Sequence, residues 1–128
     1  IIDRIDICVE ATPLSFDEIS STSANETSED IRKRVISCHE IQKKRYAGET
    51  FLYNSKITTD KLEKYCYLNK CENMYEKLGL TARTYHKILK VARTIADLES
   101  CEDIKTKHLN EAICYRSINE KFWGGACG

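Results

Sequence analysis

The run Thr81-Ala82-Arg83-Thr84-Tyr85-His86-Lys87-Ile88-Leu89-Lys90-Val91-Ala92-Arg93-Thr94-Ile95-Ala96-Asp97-Leu98 decides the fold of this chain. Tyr85, Ile88, Leu89, Ala92, Ile95 and Ala96 recur at the spacing of one helical face. Thr81 stands where an N-cap belongs, since its hydroxyl can accept from a free N–H of the first turn. The small side chains of Ala92 and Ala96 let a second helix approach closely, so this face is core. Arg83, His86, Lys87, Lys90, Thr94 and Asp97 fall opposite. Arg83 lies in the first turn, where a cation meets the positive end of the helix dipole at a small cost. The same end attracts anions, and a guanidinium fork suits phosphate. The helix alone therefore leaves two readings of Arg83: an ordinary surface arginine with a solvated stem, or a phosphate sensor.

Further helices are expected on both sides. Glu29 to Arg45 reads as a long helix capped by Ser28, with Ile31, Val35, Cys38 and Ile41 on one face. Its basic end, Lys43-Lys44-Arg45, complements the dipole, and Gly48 stops it. Thr58 or Thr59 opens a short helix through Cys66, with Leu62, Tyr65 and Cys66 inward. Lys70 to Leu78 reads as another, ending at Gly79. Thr106 caps a last helix through Tyr115, burying Leu109, Ala112 and Ile113. Phe51 to Ser55 shows no period. Near the start, Ile5, Ile7 and Val9 alternate with Asp6, Cys8 and Glu10, the period of a half-buried strand closed by Pro13. Without a partner that strand is expected to be frayed or loosely docked. The expected fold is mainly α: a bundle of about five helices behind a short N-terminal strand. Residues 1–27 form the strand and loop, 28–117 the helical domain, and 118–128 a flexible glycine-rich tail.

At 128 residues the chain suits one domain with a small core. Twenty basic residues balance twenty acidic ones, so no global field favours nucleic acid or an anionic membrane, although local patches can act. No apolar run reaches membrane-spanning length. The opening Ile1-Ile2-Asp3-Arg4 has no initiator methionine and suggests a piece of a longer protein. Seven cysteines, an odd number with no Cys-x-x-Cys pair, are expected to be reduced thiols of a cytoplasmic protein. Cys66, Cys71, Cys101, Cys114, His86 and His108 match no common zinc spacing, so no metal site is expected and the cysteines are read as small core hydrophobes. His39 is expected at a surface or boundary position. The sequence holds no G-x-x-x-x-G-K-[ST] phosphate loop, nucleophile elbow or His-Glu-x-x-His helix.

Three stretches carry a resemblance. Asp3-Arg4-Ile5-Asp6-Ile7, Ser28-Glu29-Asp30-Ile31-Arg32-Lys33-Arg34-Val35 and, above all, Leu78-Gly79-Leu80 running on through Leu98 resemble the C-terminal region of magnesium-chelatase-like AAA+ ATPases, the competence-related YifB/ComM family of bacteria. His108 to Ser117 extends the likeness, which covers roughly Asp3 to Ser117. The resemblance implies the small helical lid of an ATPase module. It implies that Arg83 is the sensor arginine reaching the nucleotide phosphates of its own subunit. It also implies that Arg4 is the arginine finger entering the neighbouring subunit's site in a homo-oligomeric ring. Such guanidiniums would stabilise charge on the transferring phosphoryl group. Arg93 matches the family run and is read as structural, paired with Asp97 at i, i+4.

ATP and Mg²⁺ are thus expected in the parent protein and neither in this chain alone, which is expected to be catalytically silent. Its implied partners are its own ATPase core, other copies in the ring and, with remodelling as the task, DNA. Two alternatives remain open. A nucleic-acid-binding helical module would use Lys43 to Arg45 and the Lys87/Lys90 face, and a protein-interaction domain would have no nucleotide role.

Overall fold

The computed structural model describes residues 4–11, 13, 15–16, 25–66, 68 and 81–122, with side chains described up to residue 116. Four α-helices lie in that range: α1 (Ser28–Arg45), α2 (Thr59–Tyr65), α3 (Ala82–Leu98) and α4 (Thr106–Phe122). A 3₁₀ turn at Asn54–Lys56 joins α1 to α2. The helix expected over Lys70 to Leu78 lies outside the described residues, as does the end of the tail from 123 onward.

Local chemistry caps α1 and α3 with a threonine side chain, whereas Thr58 before α2 makes no such bond. Thr27, one residue before the expected Ser28, accepts from the Asp30 N–H at 3.1 Å. Glu29 and Asp30 follow at the positive end of α1, and Lys43, Lys44 and Arg45 sit at the negative end. Gly48 takes φ +90° after the helix, a conformation that side chains with a Cβ rarely adopt. Thr81 caps α3 as expected, accepting from Thr84 N–H at 3.2 Å. At the start of α4, His108 Nδ1 accepts the Lys105 N–H at 2.9 Å, taking the reciprocal role that a Glu usually fills three residues after the cap. α4 continues through Phe122, beyond the expected Tyr115 and into the expected tail.

The core forms on the inner face of α3. Ile88, Leu89, Ala92 and Ala96 are buried, with Tyr85 and Ile95 packed at the margin, as the spacing required. α4 lies against α3 and contributes buried Leu109 and Ala112. Leu62 of α2 and Cys66 just after it close the core, with Tyr46 and Ile57 from the connection between α1 and α2 and Phe51 from the stretch of it that shows no sequence period. Tyr46 meets Phe51 and Tyr65 edge-on, with ring centroids 4.9 and 4.8 Å away.

Two expectations change. Only Cys38 and Gln42 are buried on α1, while Ile31 and Val35 stay exposed at 45% and 41%. The amphipathic stripe is present, but only its C-terminal half reaches α3. The N-terminal strand is also not formed, and the described residues contain no strand. A strand needs a neighbouring ladder for its backbone groups. Here residues 4–8 bond to helices instead, with the Cys8 N–H donating to the Tyr115 carbonyl at 3.0 Å. Ile5, Ile7 and Val9 accordingly remain exposed.

Candidate functional site

Arg83 occupies the first turn of α3, two residues after the Thr81 cap, and is exposed. One turn later, Lys87 donates to Asp6 Oδ1 at 2.7 Å and to the Arg4 carbonyl at 3.3 Å. Arg116 on α4 donates to the Ile5 carbonyl at 2.7 Å. The segment holding Arg4 is thereby laid across the beginning of α3 and the later part of α4. Arg4 itself is exposed. The two sequence-selected arginines thus share one end of the bundle, linked through Lys87.

The pose of α3 depends on a polar network inside the molecule. The Asp97 side chain is fully buried and accepts a two-pronged bond from Arg45 on α1, with Nη1 at 2.9 Å and Nη2 at 2.5 Å. Arg93 pairs with the same carboxylate at 3.1 Å, the i, i+4 contact anticipated from the run. Arg93 also donates to the Glu102 and Cys101 carbonyls, both at 2.8 Å, and so ties the end of α3 to the following loop. Asn54 adds Nδ2 bonds to Asp97 at 2.9 Å and to Thr94 at 3.0 Å, while its Oδ1 accepts from Tyr46. Gln42 Oε1 accepts the Asn54 N–H at 2.9 Å. Burial opposes the charge on Arg45, but the hydrogen bonds and charge of Asp97 outweigh it and hold the guanidinium above its ordinary pKa. Burial pushes the Tyr46 phenol up to about 12, against the pull of Arg45.

This network corrects the placement of Asp97, which lies on the face opposite the apolar one and yet is inside. It also alters the basic run at the end of α1. Arg45 turns inward, Lys43 lies 3.5 Å from Glu40, and Lys90 bonds the Ser55 carbonyl at 3.5 Å. With Lys87 engaged by Asp6, most of the cations offered for nucleic acid already serve internal contacts.

Of the residues weighed as metal ligands, Cys101 and His108 converge, joined by Glu99, which the spacing had not suggested. Their donor atoms lie within 4.8 Å of one another. The bonding of this group runs against an ion. His108 Nδ1 accepts a backbone N–H, so the neutral ring carries its proton on Nε2, aimed at Glu99 Oε2 2.8 Å away. Lys107 reaches the same oxygen at 2.9 Å. Hydrogen bonds from Lys107 and His108 hold the Glu99 carboxyl below the usual range. Cys38 and Cys66 are free thiols in the core, and burial raises both, Cys66 to about 11, which keeps them protonated and poor nucleophiles. His39 is half-buried beside the Tyr53 ring, 4.7 Å between centroids, as a boundary residue would be.

Comparison with known proteins follows the same line. A family model described as magnesium chelatase, subunit ChlI C-terminal, matches residues 25–116. Competence protein ComM of Haemophilus influenzae is 38% identical over 123 residues, which cover 91% of this chain and 23% of that protein. The uncharacterized protein YifB of Salmonella typhimurium is 38% identical, and its namesake in Escherichia coli 33% identical, each over 125 residues covering 92% of this chain and 24% of theirs. The chain therefore spans about a quarter of the length of these relatives.

Proposed function

The chain belongs to the magnesium chelatase ChlI C-terminal family, and on that premise we propose that it is the lid of an AAA+ ATPase whose parent hydrolyses ATP in a ring. Arg83 is the sensor that contacts the phosphates bound by its own subunit. Arg4 is the finger offered to the neighbouring one. The observation carrying this reading is the exposed Arg83 in the capped first turn of α3, on a helix held by buried Asp97. Helix N-termini favour anions, and a guanidinium placed there adds two-pronged phosphate recognition. The donor set fits a phosphate. It offers no comparable fit for Mg²⁺, because Glu99 is already paired with Lys107 and His108. The ion and the phosphate loop are assigned to the remaining three-quarters of the parent.

This chain contributes positioning and charge. Bound Mg²⁺ would supply neutralisation of the β- and γ-phosphate oxygens. Arg83 would orient the nucleotide against the lid, and Arg4 would stabilise charge building on the transferring group across the subunit boundary. The isolated chain is then catalytically silent. The parent would act in the cytoplasm, with DNA as its proposed target because one relative is a competence protein.

The test is Arg83→Ala in the full-length parent. ATP turnover should fall about a hundredfold or more, the scale seen when one transition-state donor is removed. Unchanged turnover would leave α3 as a purely architectural helix. The isolated chain should bind ATP weakly, and tight binding would contradict the assignment of the phosphate loop to the rest of the parent.

A further inference from the structure

We propose that Lys87 is a positioning residue that ties Arg4 to the helix bearing Arg83, so that the sensor of one site and the finger of the next move together. The inference rests on the lid reading above. Its structural basis is four bonds that join residues 4–8 to α3 and α4 across most of the chain. Lys87 Nζ reaches Asp6 Oδ1 and the Arg4 carbonyl, Arg116 reaches the Ile5 carbonyl, and the Cys8 N–H reaches the Tyr115 carbonyl.

The chemistry of the clasp matters. Lys87 is only 20% exposed, so its ammonium is drawn in along the surface of α3. An ammonium has three donors and no fixed fork, and here it serves a carboxylate and a carbonyl that lie two residues apart. A lone lysine–carboxylate pair at a surface contributes little. The same ammonium bonding main chain, backed by Arg116, fixes the path of the segment as well. Arg4 enters the clasp through its carbonyl, which leaves the direction of its side chain to be set by the backbone. Lys87 follows Arg83 by four residues on one helical face, so any rotation of α3 that moves Arg83 carries Lys87 with it. A change at the nucleotide read by Arg83 is thereby delivered to the arginine that serves the adjacent subunit.

Four variants of the full-length parent test this: Arg4→Ala, Arg83→Ala, Lys87→Met and Lys87→Arg. Lys87→Met should lower kcat roughly ten- to hundredfold, the effect of misplacing a reacting group by about an ångström. KM for ATP should change less than about twofold, because Lys87 does not touch nucleotide. Lys87→Arg keeps the donors and should retain most of kcat. Hydrogen exchange provides a readout independent of turnover: the Cys8 amide should exchange about fivefold faster in Lys87→Met. If Arg4→Ala and Arg83→Ala both leave turnover intact, the lid reading fails, and the exchange result shows separately whether the clasp exists. If both impair turnover while Lys87→Met keeps normal kcat, or raises KM alone, the positioning role is overturned. A Lys87→Arg variant as impaired as Lys87→Met also overturns it.

Discussion

Asp97→Ala addresses the contact on which the pose of α3 depends. The carboxylate has no exposed surface, accepts three hydrogen bonds, two from Arg45 and one from Asn54, and forms an ion pair with Arg93 at 3.1 Å. Removing it leaves two guanidiniums facing one space, with Arg93 4% and Arg45 18% exposed. Breaking a buried ion pair by deleting one partner costs about 3–5 kcal/mol. Two features favour the lower end. Arg93 keeps its bonds to the Cys101 and Glu102 carbonyls, and Arg45 has enough exposure to turn toward water. The expectation is a loss of about 3 kcal/mol, a large share of the stability of a domain of this size, and a fall in Tm of roughly 10 °C. Asp97→Asn should cost nearly as much, since the charge is lost and an amide NH₂ faces guanidinium donors. Arg45→Met combined with Asp97→Ala should recover part of the loss by removing one unpaired cation. Urea denaturation of the chain, followed by circular dichroism, provides the measurement. A loss below about 1 kcal/mol, or strict additivity in the double variant, would refute the network as the anchor of α3.

Two further outcomes follow from pH. The Tyr46 phenol is raised by burial to about 12, so its stabilising contribution is complete below the ordinary tyrosine range near pH 10 and is lost as pH rises from there through about 12. Tyr46→Phe should flatten that alkaline limb, and a Tyr46 that ionises near 10 in a difference titration would remove the basis for it. Glu99 has the opposite sign. Lys107 and His108 depress its folded-state pKa, so its contribution is present above the ordinary carboxylate value near 4.3 and is lost as pH falls through the lower folded value. Glu99→Gln should shrink the loss of urea resistance on acidification, and an unchanged acid profile would show that the group adds nothing.

What local pattern determines in this chain is concentrated in α3. Its cap at Thr81, its buried Ile88, Leu89, Ala92 and Ala96, and the Arg93–Asp97 pair all follow from neighbours within four residues, the range over which helical spacing speaks. The same run carries the family resemblance, which the comparisons support. Long-range contacts were another matter. Asp97 is on the polar side by periodicity, and it is buried because Arg45, 52 residues earlier, swings in to meet it. Asn54 sits in a stretch without period and becomes a junction between α1 and α3. The alternation of Ile5, Ile7 and Val9 reads as a strand, but a strand is a property of two chains side by side. The groups that take up its backbone, Lys87, Tyr115 and Arg116, are helical and lie 83 to 111 residues away. Arg83 shows the division most plainly. Its place in the first turn is local, while the lysine that brings Arg4 to the same helix becomes visible only once the chain is folded.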